Sequence, residues 1–139
     1  MTRPSISFFV LIMMLLTINP ALALSDYRCL IQRIITAEEQ SQKLTFYEKN
    51  YLNKEFTVER STGLMAGALK NSYVTKPQVI DYGSHENSFK VITTMRLEQG
   101  VGLGSNVYML TINEYSESSK KPFVFIDNDV VYLGECVHF

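Results

Sequence analysis

The sequence predicts a small, mainly β domain: an antiparallel barrel or sandwich, with one short helix possible and one disulfide joining its N- and C-terminal elements. Three observations lead there. Short alternating apolar and polar segments recur through the C-terminal two-thirds, with turn-forming clusters between them. The chain has 2 cysteines, one toward each end. An apolar amino-terminal stretch reads as an export signal, which places those cysteines where they oxidise.

The amino terminus has three parts. Arg3 is the sole charged side chain before Asp26, Ile6 to Ile18 is almost wholly apolar, and Asn19-Pro20 breaks the run ahead of Ala21-Leu22-Ala23. A basic start, a short apolar core and an A-x-A site are what signal peptidases read. Residues 1–23 are therefore expected to be a cleavable signal peptide and residues 24–139 a single exported domain, periplasmic or secreted. The apolar run is short for a membrane span, so no stable membrane anchor is expected after cleavage. Cys29 follows Asp26-Tyr27-Arg28, which does not suit lipid attachment. In that compartment Cys29 and Cys136 are expected to pair with each other, making the first and last elements neighbours.

The elements follow in order. Tyr27, Leu30, Ile31, Ile34 and Ile35 fit one face of a helix, with Asp26 as a cap, and equally fit a β-branched strand. The disulfide favours the strand. Residues 37–54 are polar with scattered aromatics and suit a loop holding a short helix. Glu55 to Arg60 alternates, with Phe56 and Val58 on one face; Ser61-Thr62-Gly63 supplies a turn, and Leu64 to Leu69 a short return strand. Gln78 to Tyr82 follows Pro77 as a strand. Gly83 to Asn87 is a turn cluster, and Ser88 to Arg96 alternates again. Val107 to Tyr115 is apolar on both faces and reads as a central strand. Phe123–Ile126 and Val130–Leu133 form the clearest hairpin, joined through Asp127-Asn128-Asp129. Pairing of the first and last strands would close a barrel and remove its edges.

The motifs carry little chemistry. Gly100, Gly102 and Gly104 lie between two strands, not between a strand and a helix, so they do not form a dinucleotide fingerprint. They suit a flexible connection that could lie over a pocket, with Leu103, Val107 and Tyr108 beside it. Asp127-Asn128-Asp129 opens like a calcium loop, but Val130, Val131 and Leu133 supply no ligands. No metal site and no cofactor is expected. His85 with Asp81 or Glu86 could be drawn as a hydrolase constellation, but no G-x-S-x-G accompanies it. His138 sits at the frayable C-terminus. The tyrosines, in a chain that is 12% aromatic with no tryptophan, suit core and rim packing, or else an aromatic-lined cavity. The net charge of −1 is dispersed, and removing Arg3 makes it −2; neither nucleic-acid binding nor a polybasic membrane tether is supported.

These features favour a non-enzymatic exported binding or interaction module, taking a small apolar ligand or a protein partner in the cell envelope. The candidate ligand-loop residues are Gly100, Gly102, Leu103, Gly104 and Tyr108. The alternatives are a small hydrolase using His85 with Asp81 or Glu86, and a structural or assembly protein of the envelope.

Overall fold

The computed structural model describes residues 25–38, 42–100 and 104–139. The expected signal peptide, and Gly102 and Leu103 of the glycine-rich loop, lie outside the described residues. In chain order come β1 (Tyr27–Thr36), α1 (Gln42–Tyr51), β2 (Glu55–Val58), β3 (Met65–Gly67), β4 (Gln78–Tyr82), β5 (Phe89–Met95), β6 (Asn106–Ile112), β7 (Lys121–Asp127) and β8 (Val130–His138). A single 3-10 turn at Leu97–Gln99 separates β5 from the glycine-rich loop. The strands form one antiparallel sheet in the order β3-β2-β1-β8-β7-β6-β5-β4, curled into a half-barrel.

The disulfide forms as expected. Cys29 and Cys136 are direct partners in the β1–β8 ladder, with Cα atoms 3.9 Å apart. That ladder does not close a barrel, however. The β2–β3 hairpin continues the sheet beyond β1, so the first and last strands pair in its interior and the edges fall at β3 and β4.

The segment 27–36 is a strand, and a bulge explains its helical look. Pairing with β8 slips between Ile31 and Arg33. The inward positions therefore run Tyr27, Cys29, Ile31, then Ile34 and Thr36. One extra residue in a period-2 pattern produces three- and four-residue spacings like those of a helix. Gly134 faces this bulge. A Cβ there would lie 2.0 Å from the Leu30 carbonyl oxygen, so only glycine lets β8 approach β1 so closely.

The concave face is filled. Tyr27, Phe56, Phe89, Phe125 and Tyr132 are each at most 1% exposed, joined by Ile31, Val91, Leu110 and Ile112 from the same inward alternation. Helix α1 buries none of its own residues fully, but Leu44, Tyr47 and Tyr51 pack on this core. Strand β6 is central, between β5 and β7. Its apolar outer residues Val107 and Met109 remain exposed, because one face of an antiparallel sheet can stay in solvent.

Candidate functional site

The two sheet edges come together at a seam. The turn after β2 reaches across to the inner side of β4 and β5. Gly63 has φ +74, and a Cβ there would meet Val91 at 2.7 Å and Val79 at 3.3 Å. Asn71, 1% exposed, holds the turn: its Nδ2 donates to the Gly63 carbonyl (2.8 Å) and its Oδ1 accepts from the Met65 amide (3.0 Å).

Arg60 makes the second tie. Its Nε donates to the Tyr82 carbonyl (2.9 Å) and its Nη2 to the Gly83 carbonyl (3.2 Å), at the end of edge strand β4. The backbone N–H of Arg60 donates to Asp26 Oδ1 (2.9 Å). Its Nη1 lies 3.5 Å from Glu114 Oε1, with both side chains largely buried. Glu114 also accepts from the Tyr27 hydroxyl (3.0 Å), and His138 Nε2 lies 2.9 Å from its Oε1. Ser25 Oγ is 3.0 Å from His138 Nδ1. The Arg60 guanidinium also sits 5.4 Å from the Tyr27 ring centre. Burial first, then the Glu114 charge, push the Tyr27 phenol well above the ordinary tyrosine range. This network gives each of its buried polar groups a partner and closes one end of the half-barrel.

Beside these ties runs an open groove of about 610 Å³. Leu64, Val74, Pro77, Val79 and Tyr82 give it an apolar surface; Ser61, Thr62, Ser72 and Thr75 add hydroxyls, and Lys76 adds one cation. Leu64, Val74 and Tyr82 are 40–50% exposed, and neighbouring Ile80 is 63% exposed. Among the described residues Lys76 forms no ion pair. Strand β4 borders the groove as an unpaired edge, with its register to β5 slipping between Val79 and Asp81.

Those residues singled out from sequence that the structure describes lie elsewhere. Gly100 ends the described chain before the loop and Gly104 resumes it, with nothing within 4 Å of where its Cβ would be. Tyr108 is 8% exposed and points inward, its ring between those of Tyr73 (5.9 Å) and Phe125 (6.3 Å). Burial, then Asp127, push its phenol up to about 12. His85 is exposed in the β4–β5 connection. Asp81 is occupied by the Gly83 amide (2.8 Å) and faces Lys90 at 3.9 Å; among the described residues no hydrogen bond joins His85 to Asp81 or Glu86. Arg60, Asn71 and Glu114 carry no local signal in the sequence, and His138 is held by Glu114 where its terminal position suggests fraying. The roles of all four depend on separate segments meeting.

Among the described residues no group of three or more His, Cys, Asp or Glu is placed to hold a metal, and no helix is long and apolar enough to cross a membrane. Comparison with protein-family models, curated proteins and solved structures finds no match.

Proposed function

We propose that this protein is an exported, non-enzymatic binding module of the cell envelope, whose ligand lies in the seam groove. The observation that carries this reading is the groove itself. Its volume of about 610 Å³ is within the usual range for small-molecule sites, and it keeps Leu64, Val74 and Tyr82 partly exposed around one lysine. A mostly apolar molecule with one acidic head suits it: the chain along Leu64, Val74 and Val79, the head at Lys76.

The test is titration of the exported protein with a fluorescent medium-chain fatty acid. Saturable binding is expected, reduced about tenfold or more by Val74→Asp, which places a charge on the apolar wall, and severalfold by Lys76→Glu. Absence of saturable binding, or binding indifferent to Val74→Asp, refutes the reading.

A second reading rests on β4. Its unpaired edge runs beside the groove, and an extended segment of an envelope partner could add to it as a further strand. Slowed hydrogen exchange confined to β4 amides on partner addition would favour it over the fatty-acid reading.

A further inference from the structure

At the end of the half-barrel opposite the Arg60 network, the inner face breaks its apolar pattern. Along β7 the inward positions run Phe123, Phe125 and then Asp127. The first two are only 2% and 1% exposed, and Asp127 continues the same alternation. Asp127 is the cross-strand partner of Tyr108, which is in turn the partner of Thr93. Thr93, Tyr108 and Asp127 thus form one inward row across three strands. Turn chemistry accounts for the next residue, Asn128, whose φ is 53°. It does not account for an inward carboxylate.

One group in this row lacks the partner that burial demands, and the part-buried carboxylate beside it lacks a counter-ion among the described residues. Thr93 is 2% exposed, and its Oγ1 has no hydrogen-bond partner. Asp127 accepts from the Asn128 side-chain amide (3.0 Å) but forms no ion pair among the described residues. Lys43, the nearby cation, is taken by Asp129. A buried hydroxyl left in this state costs stability unless something else satisfies it.

Aromatic rings surround the row. Tyr47 and Tyr51 stack at 5.9 Å, and Tyr51 meets Tyr132 edge-on at 5.7 Å. Tyr132 contacts Phe125 at 5.9 Å, Phe125 stacks on Tyr108, and Tyr108 meets Tyr73. Tyr73 remains 66% exposed, so the run starts on the half-buried face of α1, passes through the interior at Tyr132 and Phe125, and ends in solvent. The Asp127 charge helps raise the phenols of Tyr47, Tyr73, Tyr108 and Tyr132, after burial in each case, and Tyr108 is its direct ladder partner. Aromatic faces and a carboxylate both attract cations, and an unpartnered hydroxyl oxygen accepts from an N–H.

We propose that the Thr93–Tyr108–Asp127 row, with the surrounding tyrosines, is a binding site for a small alkylammonium ion. The ammonium N–H groups donate to Asp127 and to Thr93 Oγ1, and the cation lies against the ring of Tyr108, which stands between those two residues in the ladder. This site is separate from the seam groove and does not depend on what the groove binds.

The test uses n-butylammonium chloride as the probe and 1-butanol as its neutral counterpart, read by tyrosine fluorescence of the whole exported domain. Saturable binding of butylammonium is expected, with 1-butanol at least about tenfold weaker. Asp127→Asn is expected to weaken butylammonium binding about tenfold or more. Thr93→Val, which keeps the side-chain shape, is expected to weaken it severalfold while leaving the fold at least as stable. Phosphatidylethanolamine vesicles supply the same ammonium on a lipid. If they alone bind, and Asp127→Asn abolishes that, the ion is a lipid headgroup and the site stands. Equal binding of 1-butanol overturns the proposal, as does unchanged affinity in Asp127→Asn, or no binding of either amine source. Should Asp127→Asn fail to fold, the butanol comparison and Thr93→Val decide.

Discussion

Arg60→Ala isolates the contribution of the network that ties one end of the sheet. The side chain supplies both N–H donors to the Tyr82 and Gly83 carbonyls and the positive charge 3.5 Å from Glu114. Removing one partner of a buried ion pair costs about 3–5 kcal/mol, because the other charge stays buried. The lower part of that range applies here. Glu114 keeps the Tyr27 hydroxyl and His138, and the Arg60 contact is longer than a close ion pair. The freed carbonyls of Tyr82 and Gly83 lie at a strand end where water can reach them. About 3–4 kcal/mol is therefore expected, which for a domain of this size lowers the melting temperature by roughly 15–25 °C. Urea denaturation with an unchanged m-value is the assay, extended to a double-mutant cycle with Glu114→Gln. The double variant is expected to be less destabilised than the two single losses added together, since a neutral amide in place of the Glu114 carboxylate leaves no buried charge behind. A loss below about 1 kcal/mol for Arg60→Ala would refute the reasoning, because a side chain with that many buried partners cannot be so dispensable.

Replacing both cysteines by alanine opens a loop whose ends are 107 residues apart in sequence; urea melts are expected to show a loss of up to about 4–5 kcal/mol, with the β circular-dichroism signal kept at low denaturant because the β1–β8 ladder remains. Gly134→Ala would set a Cβ 2.0 Å from the Leu30 carbonyl oxygen, whereas Gly104→Ala has nothing within 4 Å; thermal melts are expected to show a loss of about 2–3 kcal/mol or more for the first and no change for the second. Burial first, then Asp129, raise the Asp127 carboxyl above its ordinary range, with Lys43 and the Asn128 side-chain amide opposing. A raised folded-state pKa means that stability is greatest below the unfolded value and is lost as pH rises through the folded one. Asp127→Asn is therefore expected to melt higher than the parent at neutral pH, with the difference vanishing in acid; equal melting at neutral pH contradicts this.

Much of the fold was legible in the sequence because it is written in period-2 alternation and turn residues, which act locally. Phe123, Phe125, Val130 and Tyr132 face inward as their spacing requires, and Asn128 takes the positive φ that its position in a two-residue hairpin turn demands. The ambiguity over residues 27–36 has a physical origin in the bulge at Gln32, which resets the alternation and imitates helical spacing. Sheet order was not legible to the same degree. Pairing of β1 with β8 followed from the cysteines, but nothing local shows that β2 and β3 extend the sheet beyond β1 and leave it open. The groove and the Arg60 network were invisible for the same reason. Both arise where the β2–β3 turn meets β4 and where Glu114 meets His138, between segments far apart in the chain. Of the predicted ligand-loop residues, Tyr108 proved to face the interior because its alternation with Leu110 and Ile112 places it there. The significance of Asp127 was hidden by its flanks, since Asp-Asn-Asp reads as a turn whichever way its first carboxylate points.

The two ends of the half-barrel differ in how their polar groups are satisfied, and that difference separates structure from recognition. At the Arg60 end, a guanidinium, a carboxylate, a phenol and an imidazole complete one another, and removing a member leaves the rest exposed to the cost of burial. At the Tyr108 end, Thr93 Oγ1 has no partner and Asp127 has no counter-ion among the described residues. A buried hydroxyl without a partner beside an uncompensated carboxylate costs stability without adding rigidity, so a fold that retains them breaks its own consistency there, which is the pattern expected of a site whose missing partner arrives from outside. Substitutions at Arg60 or Glu114 should therefore lower stability, whereas Asp127→Asn should raise it at neutral pH, Thr93→Val should raise it or leave it unchanged, and both should weaken the response to an ammonium ion. A row kept purely for packing would show the reverse, losing stability with either substitution whether or not the cation is added.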